Sequence, residues 1–178
     1  MEIISINDLS NICAISLLEK AFSEINDENI IRNYHPDYKD RYENIFYLLK
    51  NGRYRNGQYF ILLDDKSYVC SSGWNPYHYI GDTAILMSRT YIDEKYRAKY
   101  LLSQFLLPMM LQNSSNFDRK WITINYHNET LYKWWIRAND NKPTALFNDW
   151  PAIYRKFKPI GQKYVYNTLQ HIVEYKET

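Results

Sequence analysis

The chain has 178 residues, and its 22 Lys and Arg against 20 Asp and Glu leave a formal charge of +2. That charge is too small to signal nucleic-acid binding, no extended Lys/Arg run is present, and the 18 tyrosines are spread along the whole length instead of gathering into a stacking platform. No apolar run approaches the roughly 18 residues of a membrane span and the N-terminus lacks a signal-peptide pattern, so we expect a cytoplasmic protein with one domain over residues 1–178 and no membrane or nucleic-acid partner.

Glu2 to Ile6 reads as a weak first strand. Asn7 or Asp8 is placed to cap a helix from about Leu9 to Ile25, with Ala14, Leu18, Ala21, Phe22 and Ile25 on one face. The polar stretch from Asn26 to Asp40 reads as a loop containing His35-Pro36. A second helix, about Lys39 to Lys50, ends at Asn51-Gly52. Tyr59 to Leu63 and Ser67 to Ser72 form a hairpin around Asp64-Asp65-Lys66, followed by a turn-rich loop from Gly73 to Gly81.

From Asp82 to Leu111 an alternating strand (TAILMSRTYI) runs through a basic hinge (DEKYRAK) into an amphipathic helix (YLLSQFLLPMML). Pro108 lies inside that helix, where it removes a backbone bond and meets the carbonyl of Gln104, so a kink or early end is expected. A strand from Trp121 to Tyr126, a helix from Asn128 to Ala138, and closing strands at Phe157 to Tyr166 and Leu169 to Tyr175 complete the order β-α-α-β-β-β-α-β-α-β-β. Cys13 and Cys70 lack metal-ligand spacing and are expected as buried thiols. No metal-type cluster, nucleophile elbow or Walker loop is present.

A strand, a basic hinge and a helix start favour an anion, because free N–H groups and the helix dipole point the same way. With the following strand and helix, this block resembles the acyl-CoA-binding half of the GNAT superfamily of N-acetyltransferases. The family loop reads Gln/Arg-x-x-Gly-x-Gly/Ala. Here it is Arg97-Ala98-Lys99-Tyr100-Leu101-Leu102, with Tyr100 and Leu102 in the glycine positions.

The resemblance implies an α+β fold, with a mixed, mostly antiparallel sheet and helices on both faces. It implies transfer of an acyl group from acetyl-CoA, or a related acyl-CoA used as cosubstrate, to a primary amine on a small molecule or peptide. A second copy of the chain is a candidate partner. The pantetheine arm would lie along Leu86, Met87 and Ser88, with the diphosphate on Arg97 to Leu102. Asn128 matches the family's Asn-x-x-Ala-x-x-x-Tyr, in which Leu131 replaces the alanine and Trp135 the tyrosine.

An indole cannot protonate a departing thiolate at neutral pH, so Tyr132 and Tyr154 are the candidate proton donors. Tyr154 enters because YRKFKPIG resembles the family ending once Asn139 to Ala152 is set aside as an insertion. His127, Glu129 and Asp82 lie near strand ends where a base is needed, and no spacing singles one out. The acceptor would meet the Asn26 to Asp40 loop and the C-terminal hairpin. The filled glycine positions and Trp135 favour an alternative, a non-catalytic binding module with a closed cleft.

Overall fold

The structure, a computed structural model, describes residues 1–9, 13, 16, 57–145 and 148–177. The two expected N-terminal helices and the loop between them lie outside the described residues, apart from isolated positions. Among the described residues seven strands form one sheet: β1 (Glu2–Ser5), β2 (Gln58–Asp64), β3 (Ser67–Pro76), β4 (Thr83–Ile92), β5 (Arg119–Asn125), β6 (Phe157–Val165) and β7 (Thr168–Tyr175). Their order across the sheet is β1-β2-β3-β4-β5-β7-β6, antiparallel throughout except between β4 and β5. The sheet is therefore mixed and mostly antiparallel, as expected.

Two hairpins follow from turn chemistry. Asp65 and Lys66 both take left-handed φ values (46° and 65°), as do Tyr166 and Asn167 (50° and 61°), the backbone that matches the right-handed twist of the paired strands. The segment after Ser72, expected as a loop, instead extends β3 to Pro76. Its pairing continues on both sides, with Gln58 opposite Trp74 and Ile85 opposite Asn75. Gly73 permits this close approach, since a Cβ there would stand 2.6 Å from the Gln58 carbonyl oxygen.

After β4 the chain enters a π-helical turn, Leu102–Leu106, which continues as α1 (Leu107–Asn113). The N–H of Leu107 donates to the carbonyl of Leu102, five residues back. Pro108 is thereby placed in the first turn of α1, where its missing N–H is tolerated, and the expected kink is replaced by the π turn ahead of it. Helix α2 (Glu129–Asn139) starts at Asn128, whose Oδ1 accepts from the Leu131 N–H at 3.2 Å. A short α3 (Ala152–Arg155) leads into β6.

The described helices pack on one face of the sheet. Leu106, Leu107 and Met110 together with Trp135 and Ala138 cover Leu62, Cys70, Ala84, Leu86, Ile122 and Val173. The opposite face carries a second cluster of Tyr77, Ile85, Trp121, Val165 and Ile172. Cys70 is buried as expected, and burial pushes its thiol up to about 12. Cys13 is exposed, contrary to expectation.

Candidate active site

The parallel pairing of β4 with β5 covers only Thr83 to Leu86 against Arg119 to Ile122. At Met87 the backbone turns to a φ of 54°, and the register of β4 against β3 slips beside it. This is a β-bulge, and it bends the strand away from its neighbour. The Thr90 hydroxyl donates to the Met87 carbonyl at 2.8 Å and stabilises the bend.

Beyond Leu86 the strands part, and a cavity of about 450 Å³ opens between them. One wall is Met87, Thr90 and Ile92 of β4, and another is Ile122, Thr123 and Ile124 of β5. Tyr96 to Leu102, without Lys99, close one end, and Leu131, Trp134, Trp135 and Tyr154 form the roof. The roof is an interlocked aromatic cluster. Trp134 meets Trp150 edge-on at 4.6 Å, and Tyr154 meets Trp134 and Trp135 edge-on at 5.1 and 5.2 Å. Trp150 is fixed by its indole N–H donating to the Lys142 carbonyl at 2.7 Å, so the 140s segment is tied to the roof.

Tyr154 is buried, and that burial pushes its phenol up to about 12, although a hydrogen bond with Ser103 acts in the other direction. The hydroxyl is protonated at neutral pH. At the hinge, Ala98 and Tyr100 have φ values of 62° and 57°. This left-handed backbone is natural for glycine and costs an L-residue roughly 1–2 kcal/mol. The Tyr100 ring lines the cavity mouth, and its hydroxyl donates to the Asp149 carbonyl at 3.5 Å.

No protein-family model and no curated protein sequence matches the chain. Solved structures do. An acetyltransferase from Thermus thermophilus is similar over 99% of this chain and 98% of its own, with a TM-score of 0.65 and 14% identity. An acetyltransferase of the GNAT family from Staphylococcus aureus is similar over 98% and 97%, with a TM-score of 0.61 and 14% identity. The PaiA N-acetyltransferase of Thermoplasma acidophilum, solved with coenzyme A, is similar over 99% and 100%, with a TM-score of 0.55 and 15% identity.

The chain has the GNAT fold.

Within this GNAT fold the residues singled out in the sequence fall into two groups. Met87, Arg97, Ala98, Tyr100, Leu101, Leu102 and Tyr154 meet at the cavity. The Arg97 Nε donates to the Ile92 carbonyl at 3.2 Å, which holds its guanidinium beside the strand end. Leu102 is buried in the core as well as lining the cavity. The other residues lie elsewhere. Leu86 is buried one residue before the strands part, and Ser88 is paired in register with Gly73 of β3. The Lys99 ammonium sits 5.2 Å from the Tyr96 ring centre on the outer surface, and Asn128 caps α2. Tyr132 is absent from the lining, and its ring lies 4.2 Å from that of His171, stacked at 12°.

Of the candidate bases, Asp82 pairs with Arg119 at 3.7 Å at the closed end of the β4–β5 seam, and Glu129 pairs with Lys133 at 3.2 Å. The backbone N–H of His127 donates to the Asn125 side chain at 3.0 Å in the corner between β5 and α2.

Two features of this cavity were not read from the sequence. Trp134 roofs the cavity beside Trp135, and its signal was its position three residues after Leu131 on the same helix face. The bulge at Met87 has no local signal, because methionine carries no preference for left-handed backbone.

Proposed function

We propose that the protein is an N-acyltransferase that takes an acyl group from a pantetheine thioester, acetyl-CoA being the donor the resemblance implies, and passes it to a primary amine. The observation that carries this reading is the gap between β4 and β5 beyond Leu86, walled by apolar side chains and reached by a protonated, buried phenol. A cavity of about 450 Å³ is within the range of small-ligand sites and suits a slender arm of that length. The edge of β4 that faces the gap has no ladder partner on β5 past Leu86, so the arm can add to it by backbone hydrogen bonds.

In this reading a neutral amine attacks the thioester carbonyl and a C–N bond forms as the C–S bond breaks. The carbonyl oxygen gains negative charge, which the backbone at the Met87 bulge is placed to stabilise. The thiolate takes the Tyr154 proton, and the proton lost by the amine restores the phenol through solvent. With its pKa pushed up to about 12, Tyr154 is present as the proton-bearing form throughout the neutral range.

The test is to supply isotopically labelled acetyl-CoA and acetyl-pantetheine with a panel of primary amines. Transfer of label to an amine, with stabilisation of roughly 2.7 kcal/mol at about 100 times the donor's dissociation constant, is the expected result. Neither donor transferring label nor raising the melting temperature would sink the reading. That outcome would leave the non-catalytic module, which the Tyr100 ring at the mouth and the burial of Leu102 favour.

A further inference from the structure

We propose that Thr123 selects primary amines, its hydroxyl oxygen accepting a hydrogen bond from one N–H of the attacking amine beside the Met87 bulge. This rests on the transferase reading above and names the side chain that meets the acceptor.

The strand register places Thr123 at the reacting point. Leu86 and Ile122 are the last pair of the β4–β5 seam, so Met87 and Thr123 are the next residues on the two strands and flank the place where these part. Successive side chains of a strand point to opposite faces. Ile122 and Ile124 belong to the core beneath the helices, whereas Trp121 and Ile172, the β7 partner of Thr123, belong to the cluster on the other face. Thr123 therefore faces away from the helices, yet it lines the cavity together with Ile122 and Ile124. The cavity thus reaches through the sheet at this point. A donor arm held under the Tyr154 roof leaves the Thr123 side to the nucleophile.

The amine attacks through its lone pair, so it needs a contact that takes an N–H and leaves that pair free. A carboxylate would favour the protonated, unreactive ammonium, and among the described residues no Asp or Glu lines the cavity. The other polar side chains of the lining are engaged. The Thr90 hydroxyl is held by Ser72 at 2.6 Å and by the Met87 carbonyl at 2.8 Å. Tyr96 and Tyr100 close the hinge end, with their hydroxyls bonded to Asp64 and to the Asp149 carbonyl. Arg97 has no acceptor to offer, and Tyr154 serves the thiolate. The half-buried Thr123 hydroxyl has no hydrogen-bond partner among the described residues.

As the C–N bond forms, the nitrogen gains positive charge and its N–H becomes a stronger donor, so the bond to Thr123 tightens toward the transition state. A primary amine gives one N–H to Thr123 and loses its other proton to solvent, while the C–S bond breaks and the thiolate takes the Tyr154 proton. A secondary amine has a single N–H and cannot do both.

The experiment measures kcat/KM for transfer from labelled acetyl-CoA to n-butylamine, benzylamine, tyramine and a lysine-containing peptide. The N-methyl derivative of whichever accepts most label is then compared with it in the unaltered chain, Thr123→Val and Thr123→Ser. Valine keeps the shape and the β-branch that suits a strand, and melting temperatures verify that both variants fold. We expect Thr123→Val to lower kcat/KM for the primary amine about tenfold, to leave the N-methyl amine within about twofold and to leave donor affinity unchanged. Thr123→Ser should restore the primary amine to within about threefold of the unaltered chain. An unchanged ratio of primary to N-methyl amine in Thr123→Val overturns the proposal, because a role in packing or at the oxyanion would slow both alike. Loss of donor affinity in Thr123→Val, or a Thr123→Ser variant as slow as Thr123→Val, also overturns it. All three leave the transferase reading standing, whereas no transfer to any amine by the unaltered chain defeats that reading and the proposal with it.

Discussion

Tyr154 and Tyr132 show what a single residue's chemistry owes to packing. Both were candidates on sequence grounds, and of the two only Tyr154 lines the cavity, in a roof to which Trp150 is packed edge-on against Trp134 from farther along the chain. No local pattern encodes that contact. Tyr154→Phe is expected to lower turnover by about 10²–10⁴ with donor affinity nearly unchanged, the signature of an interaction made mainly in the transition state. Tyr132→Phe keeps the ring that stacks on His171 and should leave turnover within a few-fold; steady-state kinetics with direct donor titration checks both. The two filled glycine positions also separate. Tyr100→Gly exchanges left-handed strain for chain entropy and should change stability by about 1 kcal/mol or less, whereas Leu102→Gly empties a buried site and should cost roughly 2–5 kcal/mol in urea melts.

At the scale of elements, what was local was legible. The Asp65-Lys66 turn, the cap at Asn128 and the alternation of β4 all rest on neighbours in sequence, and each element forms where those neighbours indicate. The extension of β3 to Pro76 and the bulge at Met87 depend on strands on either side, and a Gly-Trp-Asn-Pro run reads as a turn until that pairing is known. The π turn belongs with them, since it reconciles Pro108 with a helix that the apolar pattern demands on both sides of it. Asn128→Ala should cost about 1 kcal/mol of stability even without ligand, because the cap bond exists in the free protein. Pro108→Ala should change stability by less than about 1 kcal/mol, well under the roughly 3 kcal/mol of an interior proline, and chemical denaturation measures both.

For the molecule as a whole, alkaline pH is the direct probe of the packed aromatic face. Cys70 and Tyr154 are held up to about 12, against ordinary values of 9.0 and 10.0, and Tyr68 is raised by the same burial. In each case the folded state keeps a proton that the unfolded chain releases sooner. The stabilisation is therefore complete below about pH 9 and is lost as pH rises through 12. The urea midpoint should stay level from neutral pH to about 8.5 and then fall, and in Cys70→Ala the onset should move about one pH unit higher; a midpoint that ignores alkali would show these groups to be solvated. The seam between β4 and β5 carries a different consequence. It is four residue pairs long and joins the antiparallel half β1 to β4 to the antiparallel half β5 to β7. The β2–β3 and β6–β7 hairpins close over short loops, but this junction must bring together segments separated by the whole hinge and helix. It should zip after those hairpins during folding. Truncating Ile122, at the end of the seam, should then accelerate unfolding several-fold while leaving the refolding rate almost untouched, so that the stretch that frames the cleft comes apart before the hairpins on either side of it.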